Sequence, residues 1–500
     1  MKSDNKGNLF DTSHLQTDLK RRSLRSGAVT LASHWVRFIL MLGSTMVLAR
    51  LLTPEDYGTM AMVVAINGFA GLFLNLGLST ATIQKADITH AQVSTLFWIN
   101  AGVGFILMIV VASLSPLIAK FYQAPELLWV ALVMSTIFFM NGLAVQHQAL
   151  LNRQMRFFDI AVMQIASTLI GILIAVYFAF EGYGYWALAL NRLTETFFFV
   201  AGTWFFAKWT PGLPRRVAGV GSMLKFGSNL VGFDVVNYFS RNLDKILLGR
   251  FYGNESLGLY SKAYQLLMLP IENLLNPLKR VAMPALSRLR NEPDSYRIYY
   301  MKFISILAFV TMPLVAFLFV CSDQIINIIL GQQWGETSEL FKILALVAFI
   351  QPVASTRGVV LVTTGKGKRY LILGISFSII ISASFVVGLP WGAKGVATCY
   401  TIANYILLIP SLFYAFKDTP VRVGDFLIAV YKPFTASMFM GIAGFLTLIS
   451  IPDLQDISIV AFIFVISLIT YILALIFVSW GLKDIREYYN YGRIVFAKNK

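Results

Sequence analysis

The sequence predicts an all-α polytopic membrane protein with about fourteen transmembrane helices, and three observations lead to this fold class. Hydrophobic residues make up 57% of the 500 residues and charged residues only 13%, about half the charged share of a soluble domain. Apolar stretches long enough to cross a bilayer recur along the chain. Lysine and arginine are concentrated at alternate ends of these stretches. This composition excludes a series of soluble domains and a disordered chain.

Each apolar stretch of about twenty residues or more is predicted to form one spanning helix. The seventh and eighth are the least apolar, because both carry charged residues. The predicted spans are 26–51, 57–82, 94–119, 127–150, 159–180, 184–206, 226–249, 257–284, 299–321, 339–363, 370–389, 393–414, 427–450 and 457–480.

The distribution of positive charge predicts the orientation. Of the 41 Lys and Arg, 30 lie in the predicted cytoplasmic segments or the helix ends next to them, 6 in the corresponding outer regions and 5 deeper within spans. Cytoplasmic loops of membrane proteins carry such an excess. Both termini are therefore predicted to be cytoplasmic, and the net charge of +16 requires no nucleic-acid partner.

An internal repeat predicts two lobes. Residues 24–61 resemble residues 224–261, and spans 1 and 7 are six spans apart, so both halves start from the same side of the membrane. The matches include Leu48, Arg50, Glu55 and Gly58 with Leu248, Arg250, Glu255 and Gly258. The predicted organisation is a cytoplasmic tail (1–25), an N-lobe (26–206), a cytoplasmic linker (207–225), a C-lobe (226–414), two further spans (415–480) and a cytoplasmic tail (481–500).

Two parallel six-helix lobes without a large soluble domain are typical of an alternating-access carrier. No GxxxxGK[ST] loop occurs in the sequence, so ATP hydrolysis by this chain is not expected. The four histidines and two cysteines show no metal-ligand spacing. The sequence thus predicts a secondary transporter, not an enzyme, with no cofactor.

Ionisable residues within spans are the candidate functional groups, because charge inside a bilayer is costly and usually faces a cavity or a partner. Span 7 carries a polar stripe about 120° wide at helical spacing. The stripe is predicted to line a water-filled cavity. The alternative is an internal ladder of ion pairs, in which Arg241 pairs with Asp244 and Asp234 pairs with a neighbouring helix. Its members are Asp234, Asn237, Tyr238, Arg241, Asp244 and Lys245.

Other spans add further charges. Arg37 has no acidic neighbour one turn away on span 1, so it faces the cavity, extends (snorkels) to the membrane surface, or pairs with Glu195 or Asp234. Arg192 and Glu195 are three residues apart on span 6, a spacing that also allows a simple ion pair. Arg357 on span 10 is a further cavity candidate, and Glu272 lies on the proline-kinked span 8.

These groups fall into two predicted roles. A cavity with excess cations suits an anionic substrate such as a phosphate or pyrophosphate. Carboxylates that bind H⁺ or Na⁺ in one state can couple transport to an ion gradient, with Asp234 as the first choice and Glu272 as the second. The predicted substrate-binding residues are Arg37, Arg241, Lys245, Arg192, Arg357, Asn237 and Tyr238, and the predicted coupling residues are Asp234, Glu272, Asp244 and Glu195.

Several motifs resemble those of Wzx-type flippases of the polysaccharide transporter family, in its colanic-acid and O-antigen exporter branch. They are Gly27 with the run from Leu48 to Gly58, Gln84-Lys85, Arg153 to Phe157, and Gly258-Leu259-Tyr260 to Pro284-Ala285-Leu286. The resemblance implies an antiporter that flips undecaprenyl-pyrophosphate-linked oligosaccharide across the bacterial inner membrane. A polymerase and export machinery are implied as partners.

Two other functions are compatible with the sequence. A multidrug or toxin extruder of the same superfamily would favour an acidic cavity, whereas basic groups slightly outnumber acidic ones within these spans. A membrane glycan-processing enzyme would need a polar catalytic cluster or a long outer loop, and the sequence offers neither.

Overall fold

The computed structural model describes residue 10 and residues 19–74, 78–85, 87–214, 220–450 and 455–478, with the backbone alone for 19–25, 81 and 220–237. The chain divides into two compact units, residues 1–258 and 259–500. In order, the α-helices are α1 Leu19–Leu51, α2 Pro54–Gly71, α3 Leu78–Gln84, α4 His90–Tyr122, α5 Leu127–Arg153, α6 Phe157–Phe180, α7 Tyr185–Ala207, α8 Val220–Arg288, α9 Pro293–Val320, α10 Ser322–Ile329, α11 Gly335–Ala354, α12 Thr356–Thr363, α13 Gly367–Gly388, α14 Gly392–Phe416, α15 Val423–Ser450 and α16 Asp456–Val478.

Over most of their described length the fourteen predicted spans are helical, which confirms the all-α polytopic fold. Residues 75–77 of span 2 and 479–480 of span 14 lie outside the described residues. Span 2 is built from α2 and α3, and span 10 from α11 and α12. Spans 7 and 8 form the continuous element α8, whose backbone leaves the helical region at Gly253 (φ 78°, ψ −171°). Glycine adopts this conformation without the steric penalty of a Cβ atom, so the bend lies where the sequence predicts the turn between two spans.

Nine stretches of the described residues are long and apolar enough to cross a membrane, and one of these, 367–416, contains both span 11 and span 12. Spans 2, 6, 7 and 8 fall outside this group. Polar residues lower the hydropathy of span 6, which carries Arg192 and Glu195, and of span 7, which carries Arg241, Asp244 and Lys245. Span 2 differs because its helix α2 ends at Gly71 and begins with two acidic residues. The least apolar spans are therefore those that hold most of the candidate functional groups.

In the first unit, α6 packs against both α1 and α7, and α5 packs against α4 and α7. Local sequence features also determine where a helix begins, as the start of α2 shows. Thr53 and Asp56 form a reciprocal capping box at the start of α2, where Pro54 occupies the first turn; both features favour a helix start. The α1–α6–α7 layer places residues from three predicted spans next to one another.

The repeated motif brings two glycines into close contact within the first unit. A Cβ atom on Gly58 would overlap the backbone carbonyl of Asn254, and a Cβ atom on Gly258 would overlap the carbonyl of Pro54. The Asn254 side-chain amide also donates to Thr59 Oγ1 at 3.2 Å. The two equivalent positions of the repeat thus face each other, and both need a residue without a side chain.

In the second unit, α9 packs against α15 and α11, α15 packs against α16, and α14 packs against α11 and α13. An ion pair with a buried carboxylate joins two of these helices near their starts. Arg297 Nε donates to Asp425 Oδ2 at 2.8 Å, and a second guanidinium nitrogen binds Oδ1. The lobe boundaries predicted from the repeat stay a prediction.

The orientation of the chain also stays a prediction, and single cysteines test it. Glu181 and Gly367 are exposed residues at opposite predicted ends of the spans. In a background without Cys321 and Cys399, an impermeant thiol reagent added to intact cells is expected to label Glu181→Cys and not Gly367→Cys. Permeabilised cells should label both. Labelling of Gly367→Cys from outside would contradict the predicted topology.

Candidate functional site

Three helices of the first unit bring two arginines onto one carboxylate. Arg37 of α1 approaches Glu195 Oε1 to 3.5 Å, and Arg192 of α7 approaches Glu195 Oε2 to 3.6 Å. Thr168 of α6 donates its hydroxyl to Glu195 Oε1 at 2.8 Å. We call Arg37, Arg192, Glu195 and Thr168 the α1–α7 charge cluster. The sequence analysis gave Glu195 and Asp234 as possible partners of Arg37, and in the structure Arg37 pairs with Glu195.

Close helix packing fixes the position of Glu195. A Cβ atom on Gly171 of α6 would lie 3.0 Å from the carbonyl oxygen of Asn191 and 3.3 Å from Cβ of Glu195. Small residues allow spanning helices to approach this closely. Glu195 is ten residues into α7, about 15 Å along the helix from Tyr185. The cluster therefore lies well inside the predicted span and not at its end.

The cluster carries more positive charge than it neutralises. Two guanidinium groups share one carboxylate, which leaves a formal charge of +1 among the described residues. Arg37 Nε is buried and has no hydrogen-bond acceptor in the described part of the chain. Charged groups inside spans face either the protein interior or a water-filled cavity, and the Arg192 side chain is 59% exposed. The arrangement offers spare donors to an anion.

The described part of the span 7 stripe is only partly available for binding. The Tyr238 hydroxyl donates to the backbone carbonyl of Ala65 on α2, so it holds two helices together. Asp244 is buried and accepts the backbone N–H of Lys245 at 2.8 Å. Arg241 is exposed and, within the described residues, forms no ion pair with Asp244. Asp234 and Asn237 lie outside the described side chains.

Arg357 forms a separate polar site in the second unit. Its guanidinium lies over the ring of Phe377, 4.5 Å from the ring centroid, and donates to Ser411 Oγ at 3.0 Å. Among the described residues it has no carboxylate partner. Nearby, Gln351 donates to the Tyr400 hydroxyl at 3.4 Å, while the Gln351 side-chain oxygen has no partner in the described residues. This site joins an unneutralised cation to aromatic rings and an amide.

Glu272 is exposed on α8, with no ion pair to the described residues, and it belongs to neither site. The sequence did not indicate Thr168, Phe377, Ser411 or Gln351, because a single hydroxyl, amide or aromatic residue on an apolar helix carries no signal of its partner. Within the described residues, no group of three His, Cys, Asp or Glu side chains is placed to hold a metal ion.

The fold and the arginines within its helices define a multi-pass membrane protein with charged groups inside its predicted spans. Comparison with known proteins places the chain in a family. It belongs to the family described as "Polysaccharide biosynthesis protein", which it matches over residues 47–339, more than half of the chain.

Three curated relatives are between 21% and 26% identical to the chain over the aligned residues. The teichuronic acid biosynthesis protein TuaB of Bacillus subtilis is 26% identical over 75% of this chain and 79% of its own length. The lipopolysaccharide biosynthesis protein WzxC of Escherichia coli is 25% identical over 78% of this chain and 80% of its own. The succinoglycan biosynthesis transport protein ExoT of Rhizobium meliloti is 21% identical over 79% and 80%.

Solved structures share the fold. A lipid II flippase, MurJ, in an inward closed conformation has a TM-score of 0.71 at 16% identity, covering 92% of this chain and 99% of its own. An inward-facing multidrug resistance MATE family transporter has a TM-score of 0.59 at 14% identity, covering 76% and 93%. At this identity the likeness concerns the fold alone.

Proposed function

We propose that the protein flips a lipid-linked oligosaccharide across the bacterial cytoplasmic membrane by alternating access, for synthesis of a surface polysaccharide. Three relatives with names in teichuronic acid, lipopolysaccharide and succinoglycan biosynthesis support this function, and so does the fold shared with a lipid II flippase. In this proposal both termini are cytoplasmic, and the flipped glycan passes to a polymerase and export machinery. The family and the relatives' names do not favour a multidrug extruder or a glycan-processing enzyme.

The α1–α7 charge cluster carries the proposal. A diphosphate linker has several anionic oxygens, and a cluster with two guanidiniums and one carboxylate has donors left to bind them. Guanidinium groups bind phosphate oxygens through charge-assisted hydrogen bonds. Arg37 and Arg192 are therefore the proposed diphosphate ligands, and Arg357 with Phe377 and Tyr400 is a proposed contact for the sugars.

Charge-neutralising variants test this assignment. Arg37→Gln and Arg192→Gln each remove a charge-assisted contact worth about 1.5–3 kcal/mol, so each is expected to slow flipping of a polyprenyl-diphosphate-linked oligosaccharide in proteoliposomes by about tenfold or more. Arg288→Gln is the matched control, because Arg288 is an exposed arginine at the end of α8 and loses the same charge. Flipping at the wild-type rate by both cluster variants, at equal protein levels, would refute the site.

We further propose that an H⁺ or Na⁺ gradient drives the transport, with Glu195 as the coupling carboxylate. Glu195 is a coupling candidate whose pairing with two cations inside a span is described; Asp234 remains a second candidate. A carboxylate that loses its cationic partners in a low-dielectric site must take up another positive charge.

The coupling proposal predicts that an imposed gradient speeds flipping by the wild type and not by Glu195→Gln, because an amide cannot bind the ion. The measurement is the flipping rate in proteoliposomes with a pH or Na⁺ gradient of either direction, against vesicles without a gradient. Asp234→Asn and Glu272→Gln serve as comparison variants. An equal response to the gradient in wild type and Glu195→Gln would exclude this carboxylate.

A further inference from the structure

The contacts of Glu195 differ from those of a permanent ion pair. It faces each arginine with one oxygen, at 3.5 Å and 3.6 Å, whereas charge-assisted N–H···O bonds are usually about 2.7–2.9 Å long. Neither arginine makes the two parallel bonds with which guanidinium and carboxylate fit best. The two pairs are therefore loose, although the helices around them are closely packed.

The same chain contains a permanent pair for comparison. Arg297 contacts both oxygens of Asp425, and the backbone N–H of Arg422 donates to Oδ2 at 2.8 Å. The Asp425 side chain is only 2% exposed. Two parallel bonds, a backbone donor and nearly full burial fix this structural pair, and among the described residues Glu195 has neither such bonds nor a backbone donor, while its side chain is 21% exposed.

Glu195 also accepts a hydrogen bond from a neutral side chain, and this bond does not depend on the two arginines. Thr168 Oγ1 donates to Glu195 Oε1 at 2.8 Å, the shortest contact in the cluster. Arg37 Nε is buried and has no acceptor in the described residues. One N–H donor of the cluster is therefore not satisfied by Glu195. A group with more anionic oxygens satisfies these donors better than one carboxylate does.

We propose that Glu195 is a placeholder: it holds Arg37 and Arg192 in position in the empty transporter, and the diphosphate of the substrate displaces it. This inference rests on the proposed function, since it concerns the same cluster. The carboxylate keeps two cations from repelling each other and from drawing in other anions. It competes with the substrate, and so lowers substrate affinity and aids release.

If Glu195 competes with the substrate, removing its charge should raise the affinity for a diphosphate, whereas removing a ligand of the diphosphate should lower it. Glu195→Gln keeps the shape and the Thr168 contact but removes the charge that competes for the guanidiniums. It is expected to bind farnesyl diphosphate about tenfold more tightly than the wild type does, the change expected for one charge-assisted contact. Glu195→Asp keeps the charge on a shorter side chain that reaches the arginines less well. The affinity of this variant for farnesyl diphosphate should therefore lie between those of the wild type and Glu195→Gln.

The experiment is equilibrium binding of farnesyl diphosphate and of farnesol to the purified full-length protein in nanodiscs. Farnesol lacks the anion, so its binding should be equal in all variants; a variant with altered folding would change both. Arg37→Gln and Arg192→Gln should bind farnesyl diphosphate about tenfold more weakly.

Two results would overturn the inference in different ways. If Glu195→Gln binds farnesyl diphosphate no more tightly than the wild type while the arginine variants bind weakly, the placeholder role is wrong and the proposed anion site stands. If the arginine variants bind as tightly as the wild type, the proposed site is wrong, and the placeholder role fails with it.

Discussion

Replacing Gly58 by alanine is expected to destabilise the first unit by about 3 kcal/mol or more. The new Cβ atom would overlap the backbone carbonyl of Asn254, and a backbone carbonyl cannot turn away as a flexible side chain does. Overpacking a closely packed contact costs about 1–3 kcal/mol where side chains can adjust, and here the helices themselves must separate. The measurement is the apparent unfolding temperature in detergent, followed by tryptophan fluorescence.

The repeat provides an internal check on this prediction. Gly258→Ala should have a similar effect, because its Cβ atom would overlap the carbonyl of Pro54. The double variant should cost less than the sum, since both substitutions force apart the same contact. Gly102→Ala is the control: no atom lies within 4 Å of a Cβ atom there, and alanine favours a helix by up to about 1 kcal/mol. Equal unfolding temperatures for Gly58→Ala and Gly102→Ala would contradict the close contact.

Replacing Arg153 by alanine is expected to cost about 3–5 kcal/mol of stability. The buried guanidinium donates to the carbonyls of Thr82, Ile83 and Lys85 at the end of α3, at 3.2, 3.4 and 2.5 Å, and to that of Phe10 at 3.2 Å. The last carbonyls of a helix have no partner within it. Without Arg153 these carbonyls are buried and lose their donor.

Arg156 provides the matched control for Arg153. It lies three residues further along, directly before the start of α6, and its side chain is 37% exposed. It pairs with Asp159 at 2.5 Å and donates to the Phe206 carbonyl at 2.9 Å. An exposed pair contributes little, so Arg156→Ala should lower the unfolding temperature only slightly. Arg153→Lys should fall between the two alanine variants, because one ammonium group cannot reach all the carbonyls. A loss from Arg156→Ala as large as that from Arg153→Ala would contradict the capping role.

The sequence alone determined the fold class and the positions of the helices. The reason is physical: a spanning helix must satisfy its backbone within itself and expose apolar side chains to lipid, so every span leaves a long apolar stretch in the sequence. The same constraint made the charged residues of spans 6 and 7 conspicuous, including Arg192 and Glu195. The turn at Gly253 was also visible, as the boundary between two apolar stretches.

The sequence could not determine which charged groups meet. Arg37 and Glu195 are far apart along the chain, and their pairing depends on the packing of α1, α6 and α7. The sequence offered Glu195 and Asp234 equally as partners, and it gave no sign of Thr168. The sequence also could not predict that Arg357 lies over the ring of Phe377, because no local pattern relates residues on different helices.

Arg153 and Arg156 show the same division most simply. By charge they are two equivalent cations at the predicted cytoplasmic end of span 4, and the count of positive residues treats them alike. Only the tertiary structure separates them, because Arg153 is buried and faces the carbonyls of a second helix, while the Arg156 side chain is 37% exposed. Apolar length and charge sign are properties of the chain and can be read from it. The contribution of a charged side chain to stability depends on the groups that pack around it, and only the folded structure determines those groups.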